Sequence, residues 1–276
     1  MILRDYLHQC GIIHFACLPA DAPPILKPRL LAQIPRAESV LFAALPYYVH
    51  GETDADLAMF ARSRDYHRFA ALLTEECRNI LTQAYPACAA VGFADHSPYS
   101  EVRGAAMAGL GVIGDHGLLI TKGHASYVFI YELLTSLTLA QMEAQGIPRG
   151  DGSIRTCEHC GACTAACPGG CRDGDRRLCL SAISQKKAAL STEEEVLLRH
   201  ASYAWGCDIC QEVCPHTARA RAAGTLETEI PFFREERIIR LSEEEVNAMP
   251  EDAYTSRAFG WRKKEIMLRN LRLRKE

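Results

Sequence analysis

The chain has 276 residues, 48% hydrophobic content and a formal net charge of -3 at pH 7. That length and apolar fraction support a folded core and exclude a disordered chain, while the near-balanced charge excludes the global basic field that advertises nucleic-acid binding. The start MILRDYLHQCGIIHF lacks a basic stretch followed by an unbroken apolar run, and no later run is long enough to span a bilayer, so the expected location is the cytoplasm with no membrane contact.

In chain order, SVLFAALPYYV has strand character and ends at Pro46 and the polar HGETDAD. From about Asp54 to Tyr85, apolar residues recur at helical spacing, which predicts one long amphipathic helix or two abutting ones, ended by Pro86. CAAVGFAD reads as a buried strand running into a loop at Asp95, and EVRGAAMAGLG as a helix of small residues. The glycines of GLGVIGDHG do not make a dinucleotide loop, because a helix-like segment precedes them where that motif needs a strand. GLLIT and SYVFIYELLT read as two strands joined by the turn KGHA. Strands mixed with helices in this order predict an α+β, mixed-sheet sandwich over residues 1–150.

The linker QGIPRGDGS leads into a cysteine-rich region expected over 151–225, followed by a helical extension over 226–276. Ser191 with Glu194, and Ser242 with Glu245, have the spacing of capping boxes. The final segment WRKKEIMLRNLRLRKE interleaves seven basic residues with apolar ones; it reads as a solvated helix face or, more sharply, as a local phosphate-binding patch.

Thirteen cysteines in a reducing compartment point to metal ligands, reactive thiols or buried small residues rather than disulfides. Cys157, Cys160, Cys163 and Cys167 form C-x2-C-x2-C-x3-C-P, the run with which bacterial ferredoxins hold iron-sulfur clusters and whose fourth thiolate ligates the other cluster. GCDICQEVCPH supplies Cys207, Cys210 and Cys214, and Cys179 in RRLC lies between the runs. The crossing rule assigns Cys157, Cys160, Cys163 and Cys214 to one 4Fe-4S cluster, and Cys167, Cys179, Cys207 and Cys210 to a second. Two structural zinc sites are the alternative, disfavoured by the ferredoxin-type run. Cys171 is a spare thiol beside the cluster loop, and Cys10, Cys17, Cys77 and Cys88 have the default packing role of small hydrophobes.

ALPYY, SRDYHR, FADHSPYSEVRGAAMAGLGVIG, ASYVFIYELL and the two cysteine runs separated by RRLC occur in an order that resembles the epoxyqueuosine reductases, cobalamin-dependent iron-sulfur enzymes of tRNA modification. The resemblance implies a nitroreductase-like first domain followed by a ferredoxin-like two-cluster domain, in a short form lacking the family's C-terminal helical repeats. It implies that the clusters reduce a base-off cobalamin whose cobalt attacks an epoxide carbon, with electrons from an external flavodoxin- or ferredoxin-type donor and tRNA as a partner. The family's proton-donating aspartate matches Asp95, and burial over an apolar surface is the physical means of keeping such an acid protonated. By the same motif match Arg64, Tyr66, His67, Ser97, Arg103 and Ser126 are candidate cofactor contacts. Val112 and Asp115 stand where the family has tryptophan and lysine, which leaves two further readings: a corrinoid reductase of a small molecule, or an electron-transfer protein without its own cofactor site.

Overall fold

Residues 1–171 and 175–275 are described in a computed structural model of the chain. Six strands are present among them: β1 (His14–Pro19), β2 (Ser39–Pro46), β3 (Ala90–Phe93), β4 (Gly111–Ile113), β5 (Leu119–Thr121) and β6 (Val128–Thr135). The main sheet has the order β1-β2-β6-β3, with β4 and β5 in a separate two-stranded sheet. Every pairing between these strands is antiparallel, so the sheet is antiparallel within the α+β class rather than mixed. β5 pairs with β4 across Val112 and Ile120, not with β6 through KGHA, because that segment leaves β6 free to enter the centre of the main sheet between β2 and β3.

β2 is buried along its whole length, which explains its unbroken apolar sequence: both faces of the sheet are covered. Leu41, Ala43, Tyr131 and Leu133 pack on one face against Leu73, Cys77 and Leu81 of the helix Tyr66–Ala84. Val40, Phe42 and Leu134 pack on the other against Ala105 and Ala106 of the helix Glu101–Met107. Gly104 permits that approach, since a Cβ there would lie 2.3 Å from the Phe42 ring. Cys17 and Cys77 are themselves part of the first of these cores.

The long helix expected from Asp54 begins only at Tyr66. Residues 54–64 spend their backbone groups elsewhere: Asp56 N–H donates to Ile239 O at 3.0 Å, Ala58 N–H to Trp205 O at 2.9 Å, and Ala204 N–H to Asp56 O at 2.6 Å. Asp65 then supplies the cap, its carboxylate accepting from the His67 N–H at 3.0 Å. Both expected capping boxes form, opening the helices Thr192–Arg199 and Glu243–Ala248.

The hydrophobic cores cross the sequence positions near 150 and 225. Ile230 and Phe233 join the core of the main sheet, and Leu57 and Ala61 join Trp205, Tyr254, Phe259 and Met267 in a third core. The last helix, Lys264–Leu273, buries Met267, Leu268, Asn270 and Leu271. Most of its cationic neighbours are consumed internally: Arg269 donates to Lys186 O at 2.8 Å, Arg274 to Ser202 O at 2.9 Å, and Arg272 and Lys275 both pair with Glu243. Arg269 and Arg274 thus serve docking, while Trp261 and Arg262 at the start of the segment border a surface groove.

Candidate active site

The first cysteine run curls through left-handed backbone at His159 (φ 53°) and Gly161 (φ 75°). Cys157, Cys160 and Cys163 consequently line one small cavity together with Cys214 from the second run, beside Asp115 and His116. Cys167, Cys179, Cys207 and Cys210 line a second cavity of about 360 Å³, which Cys171 also reaches. Cys163 and His116 form part of the wall of both. Burial and the nearby Arg176 cation push the His116 imidazole down to about 4, so it is neutral at pH 7.

A third cavity of about 720 Å³ lies beyond, floored by Val128, Phe129 and Ile130 of β6 and edged by Asp65, Tyr66, His67, Asp95, Glu101 and Ser126. Tyr47, Phe60, Leu118 and Gln185 line both this cavity and the second cysteine cavity. The cavity that Asp95 edges therefore adjoins the one that the thiols line.

Asp95 sits at the centre of a three-residue turn closed by His96 N–H to Ala94 O at 2.7 Å, with a left-handed φ of 60°. Such a turn is strained and persists only where its surroundings hold it. Burial, reinforced by the neighbouring Asp65 carboxylate, raises the Asp95 pKa, and Lys27 partly offsets this. Next to it, burial and the Glu132 and Asp95 carboxylates push Glu101 up to about 8. His67 is raised instead, because its Nδ1 donates to Asp65 at 2.8 Å.

Of the residues expected at a cofactor, the structure brings Tyr66, His67 and Ser126 to this cavity with Asp95. The Tyr66 ring stacks on Phe129 with centroids 4.0 Å apart. Arg64, Ser97 and Arg103 do not line it. Arg64 lies over the Phe232 ring at 4.3 Å and pairs with Glu236 at 3.3 Å. Ser97 is buried behind the Asp95 turn, where it accepts from Tyr99 N–H at 2.9 Å and donates to Glu132. Arg103 is exposed on the helix Glu101–Met107. Val112 pairs with Ile120 in the small sheet, and Asp115 accepts from His159 Nδ1 at 2.6 Å beside the first cysteine group rather than at the large cavity.

Several positioning residues escaped sequence reasoning. Ser126 donates to Gln211 Oε1 at 3.1 Å, Gln211 Nε2 donates to Asp208 at 3.1 Å, and Asp208 accepts from Met59 N–H at 2.6 Å. Tyr127 adds a 2.7 Å bond to Glu212. These bonds fix the second cysteine run against the mouth of β6. The signal was the polar residues lodged between ligand-type cysteines in CDICQEVC, which metal binding alone does not require.

The 4Fe-4S double cluster binding domain family matches residues 156–217. Epoxyqueuosine reductase from Gloeobacter violaceus is 33% identical over 69% of this chain and 60% of its own length. That from Synechocystis sp. is 30% identical over 67% of this chain and 65% of its own. The chain is similar in sequence to the epoxyqueuosine reductases. It spans about three fifths of the length of such curated relatives. The likeness in fold extends over nearly all of the chain: epoxyqueuosine reductase from Streptococcus thermophilus superposes with a TM-score of 0.76 at 20% identity, covering 99% of this chain and 79% of that one. An epoxyqueuosine reductase solved with an epoxyqueuosine-modified tRNA stem loop superposes with a TM-score of 0.75 at 19% identity, covering 99% and 79%. The matched domain makes this an iron-sulfur protein, and no helix among its described residues is long and apolar enough to cross a membrane.

Proposed function

We propose that the chain is a cytoplasmic iron-sulfur reductase that opens the epoxide of epoxyqueuosine in tRNA, with Asp95 as the proton donor. The observation that carries this reading is the shared wall of Tyr47, Phe60, Leu118 and Gln185, which sets the second cysteine cavity directly behind the cavity that holds Asp95. The cluster ligands are Cys157, Cys160, Cys163 and Cys214 for one 4Fe-4S cluster and Cys167, Cys179, Cys207 and Cys210 for the other, a partition supported by the two cavities that these thiols line. Electrons enter from an external donor of flavodoxin or ferredoxin type.

The large cavity suits cobalamin. Its volume falls in the range of cofactor sites, and the β6 segment Val128–Ile130 offers an apolar floor for a flat macrocycle. Tyr66, Phe129 and Ser126 would hold it. When bound, cobalamin supplies a strongly reducing cobalt nucleophile for the epoxide carbon. Asp95, whose pKa burial raises, donates its proton to the alkoxide oxygen released when the ring opens. One relative is described with an aspartate-bearing catalytic loop, which agrees with this role.

RNA contacts fall on the rim. A groove of about 660 Å³ bordered by Arg177, Lys186, Lys187, Trp261 and Arg262 shares Gln185 and Trp261 with the large cavity. Trp261 is 56% exposed, and the Arg262 guanidinium lies 3.6 Å from its ring centroid. Cations beside an exposed aromatic ring are the elements that grip single-stranded RNA.

The test is anaerobic reconstitution, EPR of added cob(II)alamin, and turnover of epoxyqueuosine-containing RNA. Loss of the axial nitrogen coupling together with turnover supports the reading, and Asp95→Asn should abolish turnover while leaving iron and cobalamin in place. Cobalamin in its free spectrum, or full turnover by Asp95→Asn, would overturn it.

A further inference from the structure

His96 directly follows Asp95, lines the same large cavity, and has no part in the chemistry derived so far. It is also exposed, so a substrate entering that cavity can meet it. The turn that carries both residues is gripped from each side. Before it, β3 ends at Phe93, which is paired with Glu132 of β6. After it, Ser97 donates to Glu132 and accepts from Tyr99 N–H at 2.9 Å.

The segment from Pro23 to Lys27 then crosses residues 98–100 as a strap. Two prolines in succession favour extended backbone there, and their carbonyls still accept. Ser100 N–H donates to Pro24 O at 2.8 Å. In the other direction Leu26 N–H and Lys27 N–H donate to Pro98 O at 2.7 and 3.0 Å, and Ile25 forms an antiparallel bridge with Tyr99. The strap brings Lys27 to the turn, where its Nζ donates to His96 Nδ1 at 3.3 Å.

That contact decides the state of the ring. An ammonium group has three donors and no acceptor, so His96 Nδ1 must accept; a ring that accepts there is neutral and carries its proton on Nε2. The Nε2–H has no protein partner among the described residues. Asp95 and His96 therefore offer two donors from adjacent positions of one turn to one cavity. An epoxide oxygen gains negative charge as its ring opens, and donors fixed in place beforehand are most effective where charge develops. The aspartate gives up its proton in that step, whereas a neutral imidazole N–H can hold the same oxygen by a hydrogen bond throughout and keep its own.

We propose that His96 is a second hydrogen-bond donor to the substrate oxygen that Asp95 protonates, and that Lys27 is the positioning residue that keeps the ring in its Nε2–H form. The proposal rests on the reading of Asp95 as proton donor.

The first readout is independent of turnover: nitrogen NMR of protein labelled at histidine, with the His96 signal assigned by its loss in His96→Gln. In mildly alkaline buffer the wild-type ring should be wholly in the Nε2–H form, Lys27→Met should give a mixture of both forms, and Lys27→Arg should restore the wild-type signal. A wild-type ring protonated on Nδ1, or one indifferent to Lys27→Met, would overturn the positioning role. The second readout is turnover over a range of RNA concentrations. His96→Ala should lose on the order of 100-fold in kcat with KM nearly unchanged, the usual cost of removing one such donor. His96→Gln, whose amide still donates, should recover most of that loss. Lys27→Met should lose about tenfold, because a ring freed to turn donates only part of the time. Full turnover by His96→Ala overturns the donor role, and so does a rise in KM alone, which would mark a grip on the RNA rather than on the reacting oxygen. If the wild type proves inactive, the function proposed above fails and binding decides the contact. A His96 Nε2–H signal that shifts with epoxyqueuosine RNA but not with queuosine RNA then supports it, and an unmoved signal overturns it.

Discussion

Asp65 accepts twice from His67, from its backbone N–H at 3.0 Å and from its ring Nδ1 at 2.8 Å. One carboxylate thus caps the helix Tyr66–Ala84 and raises the pKa of a histidine at the cavity edge. Asp65→Ala should cost about 1 kcal/mol in urea unfolding, the usual value of an N-cap. Asp65→Asn should keep most of that stability while returning the His67 titration, followed by NMR, toward the ordinary value. Because the folded pKa lies above the unfolded one, the ionic part of the contribution is complete below about 6.5 and fades as pH rises through the raised folded value. The stability gap between wild type and Asp65→Asn should therefore narrow in alkaline buffer; a gap independent of pH would mean that the pair contributes nothing through charge.

The partition of thiols between two cavities makes a stoichiometric prediction. Cys214→Ala should reduce reconstituted iron from about eight to about four per chain, since it removes a ligand from one cluster only. Cys171→Ala should leave the iron unchanged, although Cys171 lies against the second cavity. Unchanged iron in Cys214→Ala would show that some other residue completes the first group.

Gly104 sets two effects against each other. Alanine is favoured over glycine inside a helix by about 1 kcal/mol, but here its Cβ would press on the ring of Phe42, which is fully buried and has nowhere to move. Overpacking of this kind costs roughly 1–3 kcal/mol, so Gly104→Ala should lower stability on balance, read as a reduced midpoint in chemical denaturation. An increase would mean that the helix can lift away from β2.

Trp261 is the aromatic element of the proposed RNA rim. Trp261→Ala should weaken binding of a tRNA stem loop by about tenfold, as expected for the loss of one stacked base at roughly 1–3 kcal/mol, with iron content unaffected. Affinity equal to wild type would remove the groove from the RNA path.

The local elements were largely legible in the sequence, for identifiable reasons. β2 declared itself because a strand buried on both faces must be apolar throughout, and the capping boxes because they depend on residues only three apart. The helix expected from Asp54 failed because helical periodicity over 54–64 arises equally from a segment that alternately packs on Trp205 and on the C-terminal helices. Glu132 was visible as a lone acid in VFIYELLT, yet nothing local distinguishes an inward acid from an outward one until the register of β6 is known.

What the sequence determined by itself was the chemistry available: eight cysteines at ferredoxin-type spacing, an acid in a loop after a buried strand, and ordered motifs that resemble those of the epoxyqueuosine reductases. What only the tertiary structure decided was who meets whom. Cys214 joins the first cysteine group, Asp65 and Glu101 flank Asp95, Arg64 and Arg103 fall away from the cavity, and Arg269 of the basic C-terminal helix turns inward to the Lys186 carbonyl. The physical reason is range. Ligand spacing, caps and strand alternation are set by neighbours a few residues apart, whereas the pairing of side chains 85 positions apart bolts β6 to the second cysteine run, and that is settled by the whole packed core.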